Sequence, residues 1–145
     1  MVFEIIPGEG LGPLRFGMGP IEIERILGNK EDQSEYDDVV ELYFSNYMNL
    51  SFRNDKLFQI GATRRSSGIA YKGMDIFSAD PMAVLRALEM DAGGAFESYG
   101  FIVFPKMGLS LTGFHDDDLD NKAMALSVLE EWQSSSDTLK SISFL

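Results

Sequence analysis

Asp116, Asp118 and Asp120 alternate along His115-Asp116-Asp117-Asp118-Leu119-Asp120-Asn121, and alternating aspartates are how a calcium loop begins. Such a loop also needs a glycine at its sixth position and a bidentate glutamate at its twelfth, and those places hold Asn121 and Ser127. The segment therefore reads as a solvated hairpin loop, and no metal is assigned to it. His115 is the only histidine, so any serine nucleophile would have to share this one base. Neither Ser110 nor Ser127 lies in a Gly-x-Ser-x-Gly elbow, and His115 reads as an exposed loop residue. Gly8-Glu9-Gly10-Leu11-Gly12-Pro13 invites comparison with phosphate loops. Pro13, however, stands where the third dinucleotide glycine belongs, and no Gly-Lys-Ser/Thr follows. A bend between strand and helix is what that composition predicts. Carboxylate pairs such as Asp37-Asp38 and Glu130-Glu131 are frequent in so acidic a chain and nominate no acid/base dyad. No catalytic residue and no cofactor is assigned.

The elements that would position any site follow from local pattern. Pro20 suits a first helical position, Glu22 and Glu24 suit the positive end of the helix dipole, Ile23, Ile26 and Leu27 share a face, and Gly28 supplies a left-handed stop. Residues 29–38 are polar and acidic and read as a connection. Residues 39–45, 48–53 and 57–63 then read as three strands, with turns at Asn46-Tyr47 and Asn54-Asp55. In the middle strand Met48, Leu50 and Phe52 alternate with Asn49, Ser51 and Arg53, the pattern of a sheet with one wet side.

The same grammar recurs. Residues 69–77 open a second unit, Asp80 and Pro81 start a helix to about Ala92, and Gly93-Gly94 ends it. Strands over 100–104, 108–114 and 122–130 follow, then a loop at Ser134-Ser135-Ser136 and a last edge strand within 138–145. Gly19-Pro20-Ile21-Glu22-Ile23 lies over Asp80-Pro81-Met82-Ala83-Val84 at a shift of 61, which also superposes Leu50-Ser51-Phe52 on Leu111-Thr112-Gly113. Beyond a five-residue insertion, Asn54 to Ile60 fall over Asp120 to Leu126. The expected fold is α+β. Two α-β-β-β repeats, about 10–64 and 69–132, form one domain over 1–145 with a C-terminal edge segment. They make one curved antiparallel sheet, with both helices packed on one face and the other face open.

Composition bounds the function. With 45% apolar residues and a length of 145, the chain can bury a core without disulfides or metal, and it has no cysteine for thiolate chemistry. A formal charge of −11 repels a phosphate backbone, which argues against nucleic acid and favours a partner with a basic surface. The N-terminal residues lack the pattern of a secretory signal, and no run approaches the ~18 apolar residues of a membrane span. A soluble cytoplasmic protein with no membrane partner is the expectation.

The phrase Gly10-Leu11-Gly12-Pro13-Leu14-Arg15-Phe16-Gly17-Met18, followed by Glu24 and Leu27-Gly28, and the duplication around it, resemble the tandem-repeat folds typified by beta-lactamase inhibitory protein. Each unit is similar to the outer-membrane assembly lipoprotein BamE, and the phrase is also like that of small bacterial immunity proteins. The units are shorter than the inhibitor's, and its disulfides and the lipoprotein signal are absent. What the resemblance implies is a concave sheet that clasps another protein. The residues expected to face such a partner are Glu41, Tyr43, Asn49, Ser51, Arg53 and Gln59 in one half and Ser110, Thr112 and Phe114 in the other. Asp116, Asp117 and Asp118 are expected to engage its basic groups. The leading expectation is a non-enzymatic binding module, of immunity or inhibitor type, that occludes a partner's surface. The alternatives are a small-ligand carrier or hydrolase with a pocket at the glycine-rich loop, and a structural homodimer.

Overall fold

Pro20 opens α1 (Pro20–Leu27), Glu22 reaches back to the Gly19 amide at 3.2 Å, and Gly28 ends the helix at φ 91°. Only Ile23 of this helix is fully buried, so α1 is a short clamp rather than a core helix. α2 (Pro81–Ala92) begins where Asp80 accepts a hydrogen bond from the Ala83 amide at 3.1 Å, and it ends at Gly93 in the left-handed conformation. Val84, Leu85 and Leu88 form its buried stripe. Both helices start and stop where the local signals place them.

The computed structural model describes residues 1–116 and 118–145, with the backbone alone at 119 and 133–137. It is α+β, with two helices and two sheets whose pairings are mostly antiparallel. The first sheet holds β1 (Phe3–Ile6), β2 (Gly10–Leu11), β3 (Leu14–Arg15), β8 (Ile69–Tyr71) and β9 (Met74–Asp75) in the order β3-β2-β1-β8-β9. The second holds β4 (Asp32–Tyr36), β5 (Val39–Phe44), β6 (Met48–Arg53), β7 (Lys56–Thr63), β10 (Ala95–Ser98), β11 (Phe101–Phe104), β12 (Leu109–Thr112), β13 (Ala123–Ser127) and β14 (Lys140–Ile142). Its order is β14-β10-β11-β12-β13-β7-β6-β5-β4. Two meanders therefore meet at the antiparallel pair of β7 and β13, where Leu126 lies opposite Ile60.

Four expectations change. Each meander has four strands rather than three, because β4 and β10 precede the strands that hydrophobic alternation marks. β4 escapes notice because Asp32, Gln33, Glu35 and Tyr36 are all exposed at a sheet rim, so pairing with β5 needs no apolar face. The residues that open the second half, 69–77, join the first sheet, where β8 runs parallel to β1. The strand expected over 122–130 stops at Ser127, and a 3-10 helix (Leu129–Thr138) follows, taking in the expected serine loop. The glycine-rich bend is itself a hairpin: Gly12 at φ 57° turns β2 into β3.

One core joins all of this. Met48, Leu50 and Phe52 of β6 pack in the same cluster as Ile60, Leu126, Ile23, Val84 and Leu88, so both helices serve the inner face of the nine-stranded sheet.

Candidate functional site: the outer sheet face

The registers put a continuous set of side chains on the face away from the helices. Tyr43, Asn49, Gly61, Ala125, Ser110, Val103 and Phe96 follow one another across neighbouring strands. Glu41, Ser51, Gln59 and Ser127 make the next row, and Arg53 and Thr112 lie on the same side. Eight of the residues expected to share a face do share it: Glu41, Tyr43, Asn49, Ser51, Arg53, Gln59, Ser110 and Thr112.

Sharing the face is not the same as being exposed. Ser51 and Ser110 are only 2% and 6% exposed. The floor of the face is made of small residues, with Gly61, Ala123 and Ala125 at the meeting of the two meanders, so its centre is a shallow depression. A cleft of about 100 Å³ there is lined by Phe101, Ser110, Thr112, Ala123, Met124 and Ala125. At the far end the chain partly covers the face itself. Val103 is fully buried, Ser98 donates a hydrogen bond to Thr138 at 3.0 Å, and Trp132 lines a cavity of about 430 Å³ with Phe96 and Leu139. The face is therefore open over the first meander and partly roofed by the 3-10 segment over the second.

The open part is ordered by hydrogen bonds. The Asn49 amide donates to Glu41 Oε1 at 2.6 Å, and the Tyr36 hydroxyl donates to Glu41 Oε2 at 3.3 Å. Ser34 and Tyr43 share a hydrogen bond of 3.2 Å. A Cβ on Gly61 would strike the Asn49 carboxamide, so that glycine makes room for the group that orients Glu41. Partial burial and the Glu41 carboxylate raise the Tyr36 phenol above its usual range, which keeps it a donor. Tyr36 and Ser34 belong to β4 and escape a reading of the sequence for the same reason that β4 does.

Arg53 is less free than its type suggests. Its guanidinium lies 2.9 Å from Glu131 and 3.3 Å from Asp38, 4.2 Å over the Phe58 ring. The Glu131 hydrogen bond is the main cause that raises its pKa further. It ties the 3-10 segment to the sheet.

Phe114 is a correction. Extrapolating from Ser110 and Thr112 places it on the outer face, but β12 ends at Thr112 and Gly113, at φ 78°, breaks the alternation. Phe114 is 2% exposed, in the core, 5.8 Å from the Phe77 ring. His115 is also less exposed than expected: its Nδ1 is buried and has no hydrogen-bond partner among the described residues, and its Nε2 is 3.9 Å from Glu97. Asp116 and Asp118 are exposed, and Asp118 accepts from the Asn121 side chain at 2.8 Å. Asp117 lies outside the described residues. Among the described residues no three acidic or histidine side chains converge as metal ligands.

No family model, curated protein or solved structure matches the chain. Its geometry is thus the sole guide to its chemistry. Clefts of about 420, 430 and 440 Å³ are present, and none of these three is lined by residues 8–13. Among the described residues no helix is long and apolar enough to cross a membrane.

Proposed function

We propose that the chain is a non-enzymatic protein-binding module, of the immunity or inhibitor kind, which acts by covering a partner's surface in the cytoplasm. The observation that carries this reading is the ordered outer face of the first meander. Tyr36 and Tyr43 stand there with their hydroxyls held by Glu41 and Ser34, so two aromatic anchors are fixed before any partner arrives. The same proposal takes the chain as two copies of one unit that together form a curved platform. Two features support it: Pro20 and Pro81 open the two helices, and Ile60 and Leu126, equivalent in the sequence repeat, are opposite each other where the meanders meet. A local two-fold axis through that pair relates Gln59 opposite Ser127 to Gly61 opposite Ala125.

Affinity capture from the native host, with bound protein quantified by mass spectrometry, tests the reading. The wild-type chain should retain a stoichiometric protein partner, and Tyr43→Ala should retain about tenfold less or worse, the loss typical of a central aromatic anchor. Capture that Tyr43→Ala leaves unchanged, or no partner for the wild type, would reject it.

A further inference from the structure

β4 is the rim of the nine-stranded sheet, and among the described residues no strand pairs with its far side. Its two-residue connection, Asp37 and Asp38, makes Tyr36 and Val39 the closing pair of the hairpin. Alternation along an antiparallel ladder then turns the backbone groups of Ser34 and Asp32 toward β5 as well. The Glu31 amide is also taken, by the Tyr43 carbonyl at 2.7 Å. What faces outward is the N–H and C=O of Glu35 and of Gln33, a template for one more strand; the Gln33 N–H is held only by the exposed carboxylate of its neighbour Asp32, at 2.8 Å, which an added strand would displace.

Charge decides what can use it. Glu31, Asp32, Glu35, Asp37 and Asp38 fall within eight residues that contain no cation. Two cations beside this segment are engaged: Lys30, which precedes it, faces Glu24 at 3.9 Å, and Arg53 faces Asp38 at 3.3 Å. Two copies of this strand would bring like charges opposite each other, which is unfavourable across a sheet and worse in a chain of charge −11. A strand carrying lysine or arginine gains the same backbone hydrogen bonds and places its cations against Asp32 where they fall on the outer side, or against Glu35 where they fall on the inner side. We propose that β4 binds an extended basic segment of the partner protein by strand addition. This rests on the reading of the outer face as a protein-binding surface and names the chemistry of what binds beside it: the added strand would continue that face past Tyr36.

Three terminally blocked octapeptides supply the test on the full-length chain: alternating lysine and threonine, alternating glutamate and threonine, and the lysine peptide with alternate backbone amides methylated. Amide hydrogen exchange is read residue by residue. The lysine peptide should slow exchange at Gln33 and Glu35 by about tenfold or more, while Asp32 and Ser34, already bonded to β5, change little. The glutamate and N-methylated peptides should protect neither. Glu35→Pro removes an outward N–H at a position where an edge tolerates proline, and should weaken the lysine peptide without unfolding the sheet.

Equal protection by the N-methylated peptide would reduce the effect to diffuse charge and overturn the proposal. So would no protection at about 5 mM peptide, a concentration that populates even millimolar complexes. Protection without peptide that grows with protein concentration would make a second copy the occupant. The two readings fail separately. If Tyr43→Ala abolishes partner capture while the peptide leaves Gln33 and Glu35 unprotected, the face stands and the edge falls; if the peptide protects them but no partner is captured, the edge stands and the face falls.

Discussion

Tyr71 donates a hydrogen bond to Asp91 at 2.6 Å, and the Lys72 ammonium lies 2.9 Å from the same carboxylate oxygen. The pair ties β8 to the last turns of α2. The Tyr71 bond, then Lys72, holds the Asp91 carboxyl below its usual range, so its contribution to stability is present above an ordinary aspartate pKa of about 4. That contribution is lost as pH falls through the lowered value in the fold. Burial first, and Asp91 second, pushes the Tyr71 phenol up. Its contribution is therefore complete below an ordinary tyrosine pKa of about 10 and is lost as pH rises beyond it. Urea titrations of wild type and Tyr71→Phe should diverge at neutral pH, with the wild type more stable, and converge as pH climbs above about 10. Parallel profiles through the alkaline range would show that the Tyr71 hydroxyl plays no such part.

At the scale of elements, the C-terminal strand depends on a helix far from it in sequence. Buried Glu89 of α2 accepts from the Ser143 hydroxyl and the Phe144 amide, both at 2.7 Å, and Arg86 donates to the Phe144 carbonyl at 2.9 Å. Glu89→Ala removes both acceptor contacts and should cost about 2 kcal/mol, read as a lower denaturation midpoint. Amide exchange in β14 should quicken while β13 keeps its protection; unchanged exchange in β14 would deny Glu89 that role. Nothing local announces this latch, because its partners are 54 and 55 residues away. What was legible in the sequence was what short-range sterics decide. Proline and glycine bracketed both helices, and Asn46-Tyr47 and Asn54-Asp55 all adopt the positive φ that their turns require. The alternation in β6 also put the outer face on the correct side. What was illegible depended on rims and long-range contacts: β4 has no apolar face to betray it, the 3-10 roof has mixed spacing, and Phe114 turned inward at a glycine beyond its strand.

On the scale of the whole molecule, the two meanders share too much to act separately. β7 and β13 pair from Thr63 opposite Ala123 to Gln59 opposite Ser127, and β1 with β8 joins the halves again in the other sheet. Ile60 and Leu126 are both fully buried at the first of these junctions, within one core cluster. A partner resting on the outer face would therefore meet a single body, and strain at the seam would be felt in both halves. Leu126→Ala leaves a cavity where the meanders join and should cost about 3 kcal/mol. Because both halves lose that contact together, the denaturant midpoint should fall with little change in slope. Trp132 fluorescence, which reports the second half, and far-UV circular dichroism, which reports the whole, should trace one transition before and after the substitution. If fluorescence instead preceded dichroism in the variant, the second meander would be unfolding alone, and the outer face would be two surfaces in loose contact rather than one platform.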